Sequence, residues 1–463
     1  MRYLLHKNYC LRGWTDHTAC LECYPLRTVE DLTAREYGLL RRCDGKTEVD
    51  TERYAQAIEK FSRRGIISET DWGCTEPFQA YHFYENRRIR NIDICITGCC
   101  DLRCRHCFNA ADSEHSRGTQ ATTEQLVELI GKFDECGVAN VTFSGGEPLL
   151  HKGFLRLAEE LAARSMHFRR LVTNLYHMTP EIADRLLEMG HRPLMSTSFD
   201  GLGTHEWLRR AEGSEKRALE SIAMVKDKGF RVRTTCCVWR DSMAVIKKTV
   251  LRLQELGVDE FRLVPVEPSL RWRENADGQT IGVTEWLEFI CGFIDWWYDN
   301  DIRMQLDVWS YWRGNAGDKH INIVPDGHCC YDRQDKIPAC SDAYATPYID
   351  SDGRIALCNA ISGYTKAMGW QWGNVFTDDV HALLREGPFI DQCRCTIGAM
   401  KKNDPECQKC EWEHFCMYGC RAEALAYNGS INSPDRRMCA FFKQGFYDRF
   451  KEIADRHGLV YDR

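Results

Sequence analysis

The chain has no run of about eighteen apolar residues, so no segment of it is suited to cross a bilayer as a helix. Its first residues, MRYLLHKNYC, lack the apolar stretch of a secretion signal. Neither sign of charge dominates: 61 Lys and Arg stand against 68 Asp and Glu, and the net charge of −7 is mixed throughout. That excludes the basic stripe of a nucleic-acid binder and the polybasic patch of a membrane-surface protein. There is also no internal repeat and no low-complexity segment. Together these absences read as a cytoplasmic protein with neither nucleic acid nor membrane as partner. The 463 residues, 43% of them apolar, allow roughly two to four domains with packed cores.

What the chain has in excess is cysteine, 25 residues of it. Disulfide frameworks belong to small secreted domains, so a large chain without a secretion signal points to metal ligation instead. Closely spaced thiolates select zinc or iron–sulfur clusters. So many thiols survive poorly in oxygen, which suits an anaerobic host.

Three regions follow one another. Residues 1–90 open on a strand-like segment and then read helix, loop, helix. LTAREYGLLRRCDGKTEVDTERYAQAIEKFSRRGIIS has apolar residues at helical spacing, Asp44-Gly45 makes the turn, and RRGIIS exits toward a short strand or wing. A winged-helix-like module is expected. Residues 91–270 alternate apolar runs (92–96, 140–146, 170–174, 194–200, 232–239 and 261–266) with amphipathic helices. This is the pattern of βαβ units around a parallel sheet, an α/β fold closer to a partial (β/α)6 barrel than to a closed one. Such sheets place their chemistry at the C-terminal ends of the strands. Residues 271–335, with WLEFICGFIDWWYDN, read as a linking helix and loops. Residues 336–463 carry a second set of cysteines and show little regular periodicity.

The stretch ITGCCDLRCRHCFNAAD places Cys100, Cys104 and Cys107 at C-x3-C-x2-C, just after the first run of the α/β region. Structural zinc takes four protein ligands, usually as two pairs. A cubane cluster held by three thiolates keeps one iron open, which makes the count of three informative. Cys95 alternates within the strand and reads as packed inside it; Cys99 is a neighbouring spare. Read in isolation, the triplet also fits a structural zinc site, and Gly145-Gly146-Glu147 an ordinary strand-to-helix turn.

With this triplet the sequence resembles the radical SAM superfamily. The resemblance extends to FSGGEPLL (143–150), VTNL (172–175) and SFDGLGTHEWLR (198–209), in order, across residues 92–266. It implies a [4Fe–4S] cluster on Cys100, Cys104 and Cys107, with S-adenosylmethionine on the open iron. Gly145 and Gly146 would let the backbone approach the methionyl amino group, which Glu147 would orient. Asn174 belongs to the third-strand motif. Ser198 and Arg209 would contact the ribose and carboxylate, although a capping Ser and a solvated Arg are common alternatives. The residue before the third cysteine is often aromatic in this family; here it is His106, with Phe108 following, which implies weakened adenine stacking.

The later cysteines resemble the SPASM extension of radical SAM enzymes: Cys340, twelve residues, Gly353, four residues, Cys358, then Cys407-x2-Cys410-x5-Cys416-x3-Cys420, and Cys439. By that resemblance Cys340, Cys358 and Cys420 hold a first auxiliary [4Fe–4S] cluster and Cys407, Cys410, Cys416 and Cys439 a second, three clusters in all. Cys330 or Cys329 would complete the first auxiliary set, or the site is open. Sulfatase-maturing relatives have Asp after the counterpart of Cys358; Asn359 here makes that chemistry less expected. Cys393 and Cys395 read as free thiols, with extra ligation or thiol delivery as alternatives.

The N-terminal segment is similar to the recognition element of maturases that act on ribosomally made peptides. It would bind a leader segment as an added strand, with a helix lining the groove; a purely structural winged helix is the alternative, and DNA binding is weaker. Cys10, Cys20 and Cys23 include one CxxC, which fits either a small metal site or idle thiols. The family's chemistry implies a 5′-deoxyadenosyl radical that removes a hydrogen from the peptide, with a flavodoxin- or ferredoxin-type reductant as electron source. A thioether or carbon–carbon crosslink is the expected product. Epimerisation, the next reading, would need a hydrogen donor such as Cys236, Cys237, Cys329, Cys330, Cys393 or Cys395. A small molecule or tetrapyrrole as substrate is the rival enzyme reading; a non-catalytic electron carrier is the third.

Overall fold

In a computed structural model, residues 1–24, 27–109, 120–268, 270–314, 317–323, 336–413 and 415–461 are described. The apolar runs of the α/β region become β1 (Ile92–Cys95), β2 (Asn140–Ser144), β3 (His167–Val172), β4 (Leu194–Ser198), β5 (Val232–Val238) and β6 (Glu260–Pro265). They pair in that order and all in parallel. Each crossover is helical because the intervening segments have one apolar stripe to bury. In Thr123–Glu135, for instance, Leu126, Leu129, Ile130 and Phe133 face the sheet. A capping box formed by Thr122 and Gln125 starts that helix.

The sheet continues beyond residue 270. Helix Val283–Asp299 lays Phe293 and Trp297 against Phe261 of β6, and the chain then returns as β7 (Gln305–Val308), parallel to β6. Four residues, QLDV, are too few to announce a strand by alternation, so this unit was hidden in a stretch that reads as linker. Two antiparallel strands, Trp312–Gly314 and Ile321–Ile323, extend that edge. At the opposite edge Tyr348–Ile349 adds in parallel to β1 and folds back through Ile355–Ala356. Among the described residues the sheet therefore has eleven strands, and its flanking strands come from residues outside 91–270.

The C-terminal region is built of short helices, among them Asn359–Ala367, Arg421–Asn428 and Phe446–Arg456. Segments of one to three turns are too brief for a 3.6-residue period to show in sequence. Their apolar residues, such as Phe441 and Phe450, join the same core as the barrel.

The N-terminal region has its own core, centred on Leu39, Phe61 and Ile66. Strand Arg2–Leu5 is flanked by the edge strands Asp44–Glu48 and Ile67–Thr70, both antiparallel to it, under helices Ala34–Leu40 and Ala55–Arg63. A second sheet orders Thr28–Asp31, Cys20–Cys23, Tyr9–Gly13 and His82–Phe83. Among the described residues no helix is long and apolar enough to cross a membrane.

Arg87, on the segment leading into β1, ties that segment to the C-terminal region. It is 3% exposed, its Nε donates to the Leu384 carbonyl at 2.7 Å, and its guanidinium lies 4.1 Å over the Tyr344 ring. Removing it leaves buried carbonyls without donors. Arg87→Ala is expected to destabilise the protein by about 3 kcal/mol, read as a lowered thermal midpoint in calorimetry.

Candidate active site

The loop after β1 carries Cys100, Cys104 and Cys107 at the C-terminal end of the parallel sheet, with Cys104 buried and the other two half-buried. Burial pushes the Cys100 thiol up, opposed by the Leu102 N–H, which donates to its Sγ at 3.4 Å. Burial also raises Cys104, opposed by Arg209, whose Nη1 donates to that sulfur at 3.5 Å. Free thiolates are thus costly here and the bare thiols stay protonated, whereas thiolates bound to iron would be balanced by these donors.

The turn after β2 is docked onto this loop through backbone. Gly146 N donates to Thr97 O and Glu147 N to Cys99 O, each at 2.7 Å. A Cβ on Gly145 would stand 2.5 Å from the Thr97 carbonyl oxygen, and one on Gly146 2.2 Å from that of Cys99. The two glycines are therefore required by the contact between the loops themselves, whatever they also allow a ligand. Glu147 is fully buried and accepts from Thr173 Oγ1 at 2.6 Å, Asn174 N at 2.7 Å and Leu149 N at 3.1 Å. Burial raises its carboxyl to about 7 against those donors. Asn174, just past β3, continues the chain: its Nδ2 donates to Asp101 beside Cys100 at 2.9 Å, and its Oδ1 accepts from Tyr176 N at 2.8 Å.

From β4 come Ser198, half-buried at the strand's end, and helix His205–Arg209. Arg209 is 9% exposed; its Nε donates to Asp200 at 2.6 Å, and its Nη2 is buried without a partner. Asp200 is itself fully buried, accepts from Cys237 N at 3.0 Å, and lies 3.1 Å from His205 Nδ1. Burial would raise its carboxyl, but Arg209 and His205 outweigh burial and hold it below the usual range. Asp200 and His205 stand in the DG…H-x3-R stretch without having been singled out; their spacing from Arg209 was the available signal. They hold in place a guanidinium, beside Cys104, whose Nη2 is left to donate to an anionic group. His106 is buried, its Nδ1 unpartnered, and burial followed by Arg209 lowers its imidazole to about 3, so it is neutral. Phe108 is half-buried, its carbonyl so close to Gly363 that a Cβ there would approach to 2.4 Å. Arg105 pins the loop from outside, with Nε on the Trp207 carbonyl at 3.1 Å and its guanidinium 4.3 Å over that ring.

β5 alternates strictly, so Cys236 is buried on one face while Cys237 shares the other with Thr235. Cys237 thus lies on the face of β5 opposite Cys236, and its backbone N donates to Asp200 at 3.0 Å.

Cys340, Cys358 and Cys420 each immediately precede a helix: Ser341–Ala345, Asn359–Ala367 and Arg421–Asn428. Burial raises the Cys358 thiol to about 12, with Cys340 adding to the rise and N–H groups of Ile361 and Ala360 opposing it. Cys420 is likewise raised by burial, then by Glu423 and Cys358. Each of the three thiols thus stands at the start of a helix, whose N-terminal amides favour thiolate charge. Cys407, Cys410, Cys416 and Cys439 line one cavity with Lys401 and Trp412. Cys393 packs in the core, its thiol raised to about 12 by burial, and Cys395 is half-buried. Cys329 and Cys330 lie outside the described residues.

A carboxyl pair, Glu267 and Glu423, acts electrostatically on Cys358 and Cys420. Glu267 follows β6, and Glu423 lies on helix Arg421–Asn428, fully buried and 3.0 Å from Arg437 Nη1. Burial raises Glu423 well above the carboxylate range, Arg437 opposes, and Glu267 adds to the rise. A charged residue within RAEALAYN was the signal available in the sequence.

Residues 94–241 match the radical SAM superfamily model. The AdoMet-dependent heme synthase of Oleidesulfovibrio alaskensis is 23% identical over 370 residues, covering 78% of this chain and 88% of that protein. The PqqA peptide cyclase of Granulibacter bethesdensis is 21% identical over 346 residues, covering 73% and 84%. The fold is similar to that of Streptococcus suis SuiB bound to precursor peptide SuiA, with a TM-score of 0.66, 14% identity, and coverage of 94% and 99%.

The loop docking gives a direct test. Gly146→Ala is expected to lose most of the iron reconstituted at the first triplet, measured as iron per chain beside Ser198→Ala, which keeps it.

Proposed function

We propose that this protein is a radical S-adenosylmethionine enzyme that modifies a ribosomally made precursor peptide, with a thioether or carbon–carbon crosslink as the favoured product and epimerisation next. The observation that carries the reading is Cys104 of the triplet held by a buried Arg209 whose Nη2 lacks a partner, which supports a triplet that binds iron beside a donor for one carboxylate. When bound, the cluster and S-adenosylmethionine supply a 5′-deoxyadenosyl radical that takes a hydrogen from an unactivated carbon. The chain's own residues orient and enclose. Glu147 fixes the turn over the cysteine loop, Asp200 and His205 set the direction of Arg209, and Arg105 closes the loop against Trp207. Cys340, Cys358, Cys420 and an upstream cysteine, and separately Cys407, Cys410, Cys416 and Cys439, would hold two auxiliary [4Fe–4S] clusters.

The peptide reading is supported by the N-terminal module, whose sheet ends in edge strands Asp44–Glu48 and Ile67–Thr70 to which a leader could add. SuiB, of similar fold, was crystallised with its precursor peptide. The heme synthase relative favours a second reading, a tetrapyrrole substrate, for which a leader-binding module has no use.

The test is anaerobic co-expression with the short open reading frame beside its gene, in ordinary and deuterated water, followed by mass spectrometry. Loss of a hydrogen pair is the expected result; an unchanged mass with one deuterium gained would indicate epimerisation. No change in either water would reject the peptide reading in favour of the tetrapyrrole one. Replacing Cys100, Cys104 and Cys107 together by Ala is expected to abolish 5′-deoxyadenosine formation; retained formation would reject the catalytic triplet.

A further inference from the structure

Far from the barrel mouth, three more side chains of metal-ligand type converge. Cys20 begins strand Cys20–Cys23 and is paired opposite Asp31, which ends Thr28–Asp31. Reciprocal backbone bonds between Trp14 and His17 (2.8 and 3.2 Å) fold the preceding turn back so that His17 reaches the same face. His17 Nδ1 lies 2.8 Å from Asp31 Oδ1, and the Cys20 thiol donates to that oxygen at 3.3 Å. All three ligand atoms lie within 4.8 Å of one another. The CxxC suggested by the sequence does not form this group. Cys23 falls on the other face of its strand, and Cys10 donates to Glu22 at 3.4 Å instead.

We infer that His17 Nδ1, Cys20 Sγ and Asp31 Oδ1 form a site for a zinc-type divalent cation, with water as the fourth ligand. Zinc bonds of about 2.0–2.3 Å put tetrahedral neighbours about 3.3–3.5 Å apart, so Asp31, at 2.8 Å from His17 and 3.3 Å from Cys20, needs to move out by well under about 1 Å. A thiolate beside an imidazole selects zinc over magnesium or calcium. On binding, the Cys20 thiol proton leaves to solvent and the sulfur takes up the metal; nothing is oxidised or reduced. Cys20 is fully buried, whereas the His17 and Asp31 side chains are 35% and 61% exposed, which opens one side to water.

The position suggests what the ion does. Asp16 accepts from Arg88 N at 2.7 Å and Thr15 N donates to the Asn86 carbonyl at 2.9 Å. The ligated turn is thus tied to the segment that leads into β1, and the ion clamps the N-terminal sheet to it. This holds whether the substrate is a peptide or a tetrapyrrole.

The full-length protein, purified anaerobically, equilibrated with micromolar zinc and desalted, is assayed for zinc and iron by inductively coupled plasma mass spectrometry. Zinc-edge absorption then reads the ligand shell. One zinc per chain with one sulfur and otherwise nitrogen and oxygen neighbours is expected. Asp31→Asn and Cys20→Ser should each lower zinc at least tenfold with iron unchanged; the exposed Asp31 guards against a packing defect at Cys20. Absence of zinc from the unaltered protein, zinc retained in both variants, or a shell of several sulfurs would overturn the assignment.

Discussion

The backbone contact between the turn after β2 and the cysteine loop is the constraint on which the site depends. Two amide-to-carbonyl bonds, Gly146 to Thr97 and Glu147 to Cys99, hold the loops closer than any side chain would permit. Glu147 then carries the constraint onward, since its carboxyl is anchored by Thr173 and Asn174 at the end of β3. Asn174 returns it to Asp101, next to Cys100. Strand ends β1, β2 and β3 are thereby locked into one rigid mouth, and a site built on such ends is more exact than one carried by a free loop.

The same logic extends to the C-terminal region. The hairpin of Tyr348–Ile349 and Ile355–Ala356, lying between Cys340 and Cys358 in the chain, is hydrogen-bonded to β1, the strand that launches the first cysteine triplet. This covers an edge of the sheet that would otherwise be open to pairing, and it makes the positions of the two cysteine groups interdependent. Arg87 reinforces the join from the segment before β1. Burial is severe along this junction: Glu423, Asp435 and Arg437 carry charge-capable groups with almost no exposure, which is tolerated only because they are paired with one another.

Much of this was legible in the chain. The six strands β1 to β6 could be read because each apolar run is bounded by turn residues and followed by a helix with a clear stripe. The triplet stood out by its local spacing, and the GGE turn and Arg209 only through the family resemblance that the triplet opened. β7 could not be read, because its four residues acquire meaning only beside β6. The sheet of Tyr9–Gly13, Cys20–Cys23 and Thr28–Asp31 was equally silent, since its strands alternate around cysteines and charged residues rather than around a plain apolar face.

The sequence by itself determined the residue types, their local spacing and the order of the units, because helical and strand periodicity and turn chemistry act over a few residues. Only the tertiary structure decided which distant side chains meet. It set Asp200 and His205 around Arg209, placed Glu267 of the barrel near Glu423 of the C-terminal region, and gathered Cys407, Cys410, Cys416 and Cys439 around one cavity. It also separated Cys20 from Cys23 and gave it His17 and Asp31 instead. Those meetings depend on strand pairing and on burial against a shared core, neither of which has a signature in a linear pattern.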